Sequence, residues 1–269
     1  MMDKSTYIQL NKATWNARVP VHLGSEMYDV QGFLNSDRDI LPDLDLGLLG
    51  EIKGKNLLHL QCHFGMDTLN LARRGALVTG IDFSEAAILE ANELTKRLGL
   101  DARFICSDIF DLQTDLYESF DIIYTSYGTI GWLPDISKWA ETVNYYLKPG
   151  GTFVLVEFHP FVWAFDSDMK AISYDYFNSD PILEEEEGSY ADRYAPIRTK
   201  TMSWNHGLAE VISALLERNL QLSHFSEHDY SPYNCFSKLS LHEPGKYRFS
   251  HIPYRIPMVY AVKVTKKLV

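Results

Sequence analysis

From about residue 55 to residue 158 the chain alternates short apolar runs with helical stripes. That alternation predicts a parallel α/β sheet. Asn56–Leu60 (NLLHL) reads as the first strand, and a helix follows over roughly Met66–Arg74, with Leu69 and Ala72 inward. Gly75 ends that helix, because glycine tolerates the left-handed cap. Ala76–Ile81 reads as the second strand. Ser84 then caps a helix carrying Ala87, Ala91, Leu94 and Leu98 on one face, and Gly99 closes it. Ala102–Cys106 and Phe120–Thr125 read as the third and fourth strands. Ile136, Trp139, Ala140, Val143 and Leu147 trace another amphipathic helix, broken by Lys148-Pro149-Gly150-Gly151, and Thr152–Phe158 reads as the fifth strand.

Residues 160–206 show no clear period and are rich in aromatics, among them Trp163, Tyr174, Tyr190 and Trp204. A structureless loop of this length in a compact domain reads as a lid or binding insertion; a satellite core under the loop is the other reading of its aromatics. Leu208, Val211, Ile212, Leu215 and Leu216 resume a helical stripe. Two strands follow near Leu220–Phe225 and Met258–Val264, joined by a long Pro/Tyr-rich segment. The expected organisation is a cover segment over residues 1–50 and one domain over 51–269, with the insertion at about 160–206. The run Glu184–Glu187 reads as a solvated loop face.

The length, 269 residues, suits one large domain, and 46% apolar with 23% charged residues is ordinary globular usage. No stretch approaches the roughly 20 apolar residues of a membrane span. The opening MMDKSTYIQLNKATWNARVP is polar and lacks the apolar core of a signal peptide. Cys62, Cys106 and Cys235 form an odd, widely spaced set, read as reduced thiols in a cytoplasmic protein. A net charge of −11, with no basic run longer than two residues, argues against a nucleic-acid substrate. His224 and His228 sit four apart in a strand-like region, and no HExxH or paired Cys/His spacing occurs, so no metal is expected.

The chemistry lies at the strand ends. LLHLQCHFG carries the first strand into a tight loop that opens a helix, where free N–H groups and a positive dipole end favour a nucleotide-like ligand. The second strand ends at Asp82, 17 residues beyond Gly65, where a carboxylate can accept from ribose hydroxyls. Capping of the next helix is the plainer reading of the same residue. The third ends in Cys106-Ser107-Asp108-Ile109, an acceptor for an adenine amino group beside an apolar face. The fourth ends in Ser126-Tyr127-Gly128. Four consecutive strand ends thus carry polar or turn residues, as a crevice along one sheet edge requires.

With these motifs the chain resembles the class I S-adenosylmethionine-dependent methyltransferases over roughly residues 55–158. HLQCHFG (59–65) is similar to the glycine-rich first motif, IDFS (81–84) to the acidic ribose motif, SDI (107–109) to the adenine motif, SYG (126–128) to the fourth motif, and LKPGG (147–151) to the turn before strand five. WNAR with HLGSEMYDVQGF also resembles a bacterial branch of small-molecule methyltransferases. The resemblance implies a Rossmann-like, seven-stranded, mostly parallel sheet with an antiparallel last strand, supplied by IPMVYAVKV (256–264). Helices cover both faces and the insertion forms a lid. It also implies S-adenosylmethionine as cofactor and a small-molecule methyl acceptor. The implied cofactor residues are Gln61, His63, Gly65, Asp82, Phe83, Ser84, Asp108, Ile109 and Ser126. Trp15 and Arg18 would close over the cofactor from the N-terminal segment, Arg18 pairing with its carboxylate.

The first motif departs from the family's acid-x-Gly-x-Gly-x-Gly: its four positions are His59, Gln61, His63 and Gly65. Two outcomes are open, a reshaped loop with side chains turned from the ligand, or loss of cofactor binding. After strand five, His159 is the candidate base or substrate-orienting group, with Glu157 or Tyr127 supporting it. The rival functions are a non-catalytic nucleotide- or cofactor-binding module and a nicotinamide-dependent oxidoreductase. Absence of GxGxxG after the first strand argues against the latter.

Overall fold

The computed structural model describes residues 4–177 and 180–268. Three helices open the chain: α1 (Lys4–Leu23), α2 (Val30–Leu34) and α3 (Asp43–Leu49). The α/β alternation then runs β1 (Asn56–Leu60), α4 (Met66–Arg73), β2 (Leu77–Asp82), α5 (Glu85–Leu98), β3 (Ala102–Cys106), β4 (Phe120–Ser126), α6 (Ile136–Tyr146) and β5 (Leu147–Phe158). A hairpin of β6 (Ile182–Glu187) and β7 (Arg198–Ser203) follows, then α7 (Leu208–Leu216) and β8 (Leu220–His228). A second hairpin, β9 (Leu239–Glu243) and β10 (Lys246–Phe249), precedes the last strand, β11 (Val259–Lys266).

Seven strands form one sheet in the order β3-β2-β1-β4-β5-β11-β8. β1 pairs in parallel with β2 and with β4, and β11 runs antiparallel between β5 and β8. The order reverses between β1 and β4, which opens a crevice at their carboxyl ends. Alternation along the strands sorts the core. Leu58, Leu60, Ile123, Phe153 and Leu155 pack with Trp139, Val143 and Leu215 of α6 and α7. On the other face Leu57, Ile122, Val154 and Val156 pack with Leu48 and Leu49 of α3 and Leu71 of α4. Side-chain caps hold the helices in place: Ser84 Oγ accepts from Ala87 N at 3.1 Å, and Asp135 Oδ1 from Lys138 N at 2.9 Å.

Two expectations about elements need correction. β5 begins at Leu147, not after the Lys-Pro-Gly-Gly turn: Leu147 pairs with Phe120 and Thr152 with Ile122, so residues 148–151 bulge within the strand. The second concerns residues 160–206, which are not structureless. Glu184–Glu187 lies in β6, paired with β7. Three of its four carboxylates are engaged: Glu185 with Lys200 and Arg198, Glu184 with the Tyr174 hydroxyl at 2.6 Å, and Glu186 with Arg18. α1 secures the other side of the hairpin. Asn11 Nδ2 donates to Met202 O at 2.8 Å, its Oδ1 accepts from Met202 N at 2.9 Å, and Thr14 Oγ1 donates to Lys200 O at 2.6 Å. Among the described residues no helix is long and apolar enough to cross a membrane.

Candidate active site

A cavity of about 1200 Å³ opens at the carboxyl ends of β1–β4, lined also by α1 and both hairpins. Pockets for one small ligand usually span about 300–1000 Å³, so this one has room for two small partners.

The first loop explains how the chain dispenses with glycines. Gln61 and His63 adopt φ of 56° and 53°, in the left-handed region that glycine otherwise supplies. The loop therefore keeps its path, at a local cost that its contacts offset. Gln61 Nε2 donates to Thr129 O at 2.8 Å, tying the end of β1 to the loop after β4. His63 turns towards α1: its Nε2 lies 3.0 Å from His22 Nδ1, and its ring stacks with His22 and Tyr28. His22 Nε2 in turn meets Ser189 Oγ at 2.7 Å, so α1, the first loop and the segment after β6 share one buried chain. Burial holds His22 down to about 3, and holds His63 well below the usual imidazole range. Gly65 is the one glycine the motif retains. Its φ is +77°, and a Cβ there would stand 2.6 Å from the Phe104 ring.

The next strand ends converge on the same wall. Asp82 is buried and accepts from His63 N at 2.8 Å and Ser84 N at 2.9 Å, one bond to each oxygen. Each carboxylate oxygen keeps a further lone pair for a ligand hydroxyl. Burial pushes Asp82 up to about 6, against the pull of those N–H donors. Ser84 is spent on its helix, capping α5 and donating to Asn16 Oδ1 at 2.6 Å. Phe83, Asp108, Ile109 and Ser126 line the cavity, and Asp108 Oδ1 accepts from Phe110 N at 3.0 Å. From α1, Trp15 and Arg18 line it too. Trp15 meets Trp132 and His63 edge to face, at 5.5 and 5.3 Å. Arg18 is buried, pairs with Glu186, and lies over the rings of Trp15 and Trp132. An adenosyl group fits this arrangement. Gln61 and His63 spend their side chains on Thr129 and His22, and the cavity follows all four strand ends past them.

Comparison with known proteins agrees. A family model described as a methyltransferase domain matches residues 57–151. Residues 57–151 therefore match a methyltransferase domain. The chain is 35% identical over 100 residues to a ubiquinone biosynthesis O-methyltransferase of Coxiella burnetii; the match spans 37% of this chain and 42% of that relative's length. The fold is similar to an S-adenosylmethionine-dependent methyltransferase from Clostridium acetobutylicum, with a TM-score of 0.58 and 14% identity, over 96% of this chain and 98% of that one. It is also similar to one from Mesorhizobium loti, with a TM-score of 0.56 and 19% identity, over 81% and 94%.

The three residues expected to form the catalytic group, His159, Glu157 and Tyr127, are dispersed. Glu157 is buried beneath the loop after β4. Its Oε2 accepts from Thr129 N at 2.8 Å and Ile130 N at 3.2 Å, and its Oε1 from Gly128 N and from Phe158 N at 2.6 Å. It shapes that loop and does not line the large cavity. His159 turns the other way, its Nε2 2.9 Å from Glu227 Oε1 and its Nδ1 accepting from Phe161 N at 3.0 Å. It does not line the cavity either. Tyr127 does, but its hydroxyl donates to Asp45 Oδ2 at 2.8 Å and not towards His159. The reason lies in where β5 stops: it ends at Phe158, so His159 lies past the strand and is turned by Glu227 of β8, while Tyr127 follows a different strand and is held by Asp45 of α3.

Sequence reasoning missed Asp67, Asp45, Tyr28 and Tyr233. Asp67 lines the cavity from the first turn of α4, where an acid reads as ordinary helix chemistry. Asp45 is fully buried in α3 and also accepts from Tyr124 at 2.5 Å. Burial pushes it up to about 6. Tyr28 falls within the HLGSEMYDVQGF segment, which assigns it no role, and Tyr233 lies outside any motif. Among the described residues no group of three or more His, Cys, Asp and Glu is placed to hold a metal. His224 and His228 are instead bridged by Ser226 Oγ, at 3.0 and 2.9 Å.

Proposed function

We propose that the protein transfers a methyl group from S-adenosylmethionine to a small-molecule acceptor. The observation that carries this reading is the single wall formed by the Gln61–Gly65 loop, Asp82, Asp108, Ile109 and Ser126. When bound, the cofactor supplies a methyl carbon already activated by a sulfonium. Asp82 would hold the ribose, Asp108 the adenine amino group, Phe83 and Ile109 its faces, and Arg18 the carboxylate end, exchanging Glu186 for it. Trp15, Trp132 and the β6–β7 hairpin line the cavity, where they would shield the acceptor and the methyl carbon from water. Fixing two partners in line is the main contribution the protein makes, worth roughly 7–11 kcal/mol of barrier in ideal intramolecular cases. The three free thiols fit a reducing, cytoplasmic setting.

Calorimetric titration tests the reading. Saturable binding of S-adenosylmethionine and of S-adenosylhomocysteine, with no heat from NAD, is expected. Failure to bind either adenosyl compound would overturn it. Release of S-adenosylhomocysteine with an acceptor panel then separates an enzyme from a binding module.

A further inference from the structure

Beyond the nucleoside wall, the same cavity carries groups that an adenosyl ligand does not need. Asp67 lies among tyrosines: Tyr28 and Tyr190, whose hydroxyls are 2.5 Å apart, and Tyr127 and Tyr233, which meet edge to face at 5.1 Å. Behind them the fully buried Asp45 accepts from Tyr124 and Tyr127. Among the described residues no Lys, Arg or His side chain forms an ion pair with Asp45 or Asp67. Burial, and then the neighbouring Asp45, push Asp67 up to about 7. The cavity as a whole shares this sign, since acidic side chains lining it outnumber guanidiniums and it holds no lysine.

A second, independent observation points to the ligand. His59, which stands where the family's acid would be, is 2% exposed and lines the cavity. Its Nδ1 lies 2.8 Å from Thr68 Oγ1, next in the chain to Asp67, and its ring lies against Tyr124 at 4.9 Å. Among the described residues Nε2 has no hydrogen-bond partner. Burial keeps this imidazole neutral, down to about 3. A buried polar atom left bare costs free energy until a ligand serves it. In the tautomer whose Nδ1–H donates to Thr68 Oγ1, Nε2 is an acceptor. An acceptor nitrogen, a carboxyl without an ion pair and several tyrosine faces together suit a cation that carries N–H.

We propose that the methyl acceptor is a small amine, held as its ammonium ion between Asp67 and His59 within the tyrosine walls and methylated on nitrogen; this rests on the methyl-transfer reading above. One ammonium proton passes to the Asp67 carboxylate. The nitrogen lone pair forms the new N–C bond as the C–S bond of the donor breaks, its electron pair staying on sulfur. The product leaves as the methylated ammonium ion, and Asp67 returns its proton to solvent. Tyr28, Tyr190 and Tyr233 lie outside the stretch matched by the family model, whereas His59 and Asp67 lie inside it.

Ligand-observed NMR with matched pairs tests this: benzylamine and benzyl alcohol, 2-phenylethylamine and 2-phenylethanol, cyclohexylamine and cyclohexanol. Each is measured with and without S-adenosylhomocysteine. At pH 8 at least one amine is expected to bind tenfold or more tightly than its alcohol. In wild type that ratio falls towards pH 6 as Asp67 takes up its proton. The groups facing Asp67 are Asp45 on α3, Tyr124 on β4, Cys62 of the first loop, and Tyr28, Tyr190 and Tyr233. Of these only Asp45 also titrates near that range, and its ionisation acts in the same direction. In Asp67→Asn the ratio falls to within twofold while affinity for S-adenosylhomocysteine is kept. No amine preference in any pair, or a preference that survives the substitution, overturns the proposal. So does a variant that loses S-adenosylhomocysteine affinity instead, which would move Asp67 to the donor site. If S-adenosylhomocysteine does not bind at all, methyl transfer falls, while the amine site is still judged by the nucleoside-free titrations and the wild-type pH dependence.

Discussion

Asp82→Asn separates the two things Asp82 does. In the folded chain burial raises this carboxyl from 3.8 to about 6. A hundredfold gain in proton affinity corresponds to about 3 kcal/mol at full ionisation. The sign follows from which form the fold disfavours. Folding disfavours the carboxylate, so the cost is absent below the ordinary value, grows as pH rises, and is complete above about 6. Asparagine escapes that cost, but its amide cannot accept from both His63 N and Ser84 N as the carboxylate does. Losing one such bond costs about 1–3 kcal/mol, independent of pH. Urea unfolding of both proteins at pH 4.5 and 7.5 is the assay. The variant is expected to lie between equal to wild type and about 2 kcal/mol weaker at pH 4.5, and to gain about 2 kcal/mol on wild type by pH 7.5. Other titrating groups cancel in the difference. Affinity for S-adenosylhomocysteine should fall by about 1–3 kcal/mol, roughly 5- to 150-fold. Parallel pH curves would refute the burial argument, and undiminished affinity would refute the ribose assignment.

Gln61→Val places a β-branched side chain at φ 56° and removes the bond to Thr129 O, so a loss of about 2–4 kcal/mol is expected in denaturant melts. Gln61→Gly loses the same bond but relieves the backbone and should stay within about 1 kcal/mol of wild type; equal losses would contradict the strain assignment. His159→Ala removes an acceptor for Phe161 N and the partner of Glu227, and should cost about 1–3 kcal/mol of stability. Single-turnover methyl transfer that drops more than tenfold in a folded His159→Ala protein would return His159 to the chemistry.

The sheet was legible because its strands announce themselves. NLLHL and FDIIYT are buried runs, and Ser84 and Gly99 bound the helix between strands two and three as capping chemistry requires. That Asp82, Asp108 and Ser126 share one cavity was legible for a related reason: a strand end is a fixed place in an α/β sheet, so the three fall on one edge once the strands are placed. The β6–β7 hairpin was not legible. Four consecutive glutamates carry no apolar alternation, and their stabilising partners, Arg18, Tyr174, Arg198 and Lys200, come from elsewhere in the chain.

His59, Gln61 and His63 show where the division falls. Local chemistry along the chain is enough to set element type, strand succession and the loop in which those residues sit, because propensity, capping and periodicity act over a few neighbours. Side-chain destinations are another matter. Gln61 reaches Thr129, His63 reaches His22, Glu157 faces the loop after β4, and His159 faces Glu227. Asp67 and the tyrosines around it share a cavity although they lie far apart in sequence. Such meetings depend on burial and hydrogen-bond satisfaction between distant segments, and those forces act only once the chain has packed.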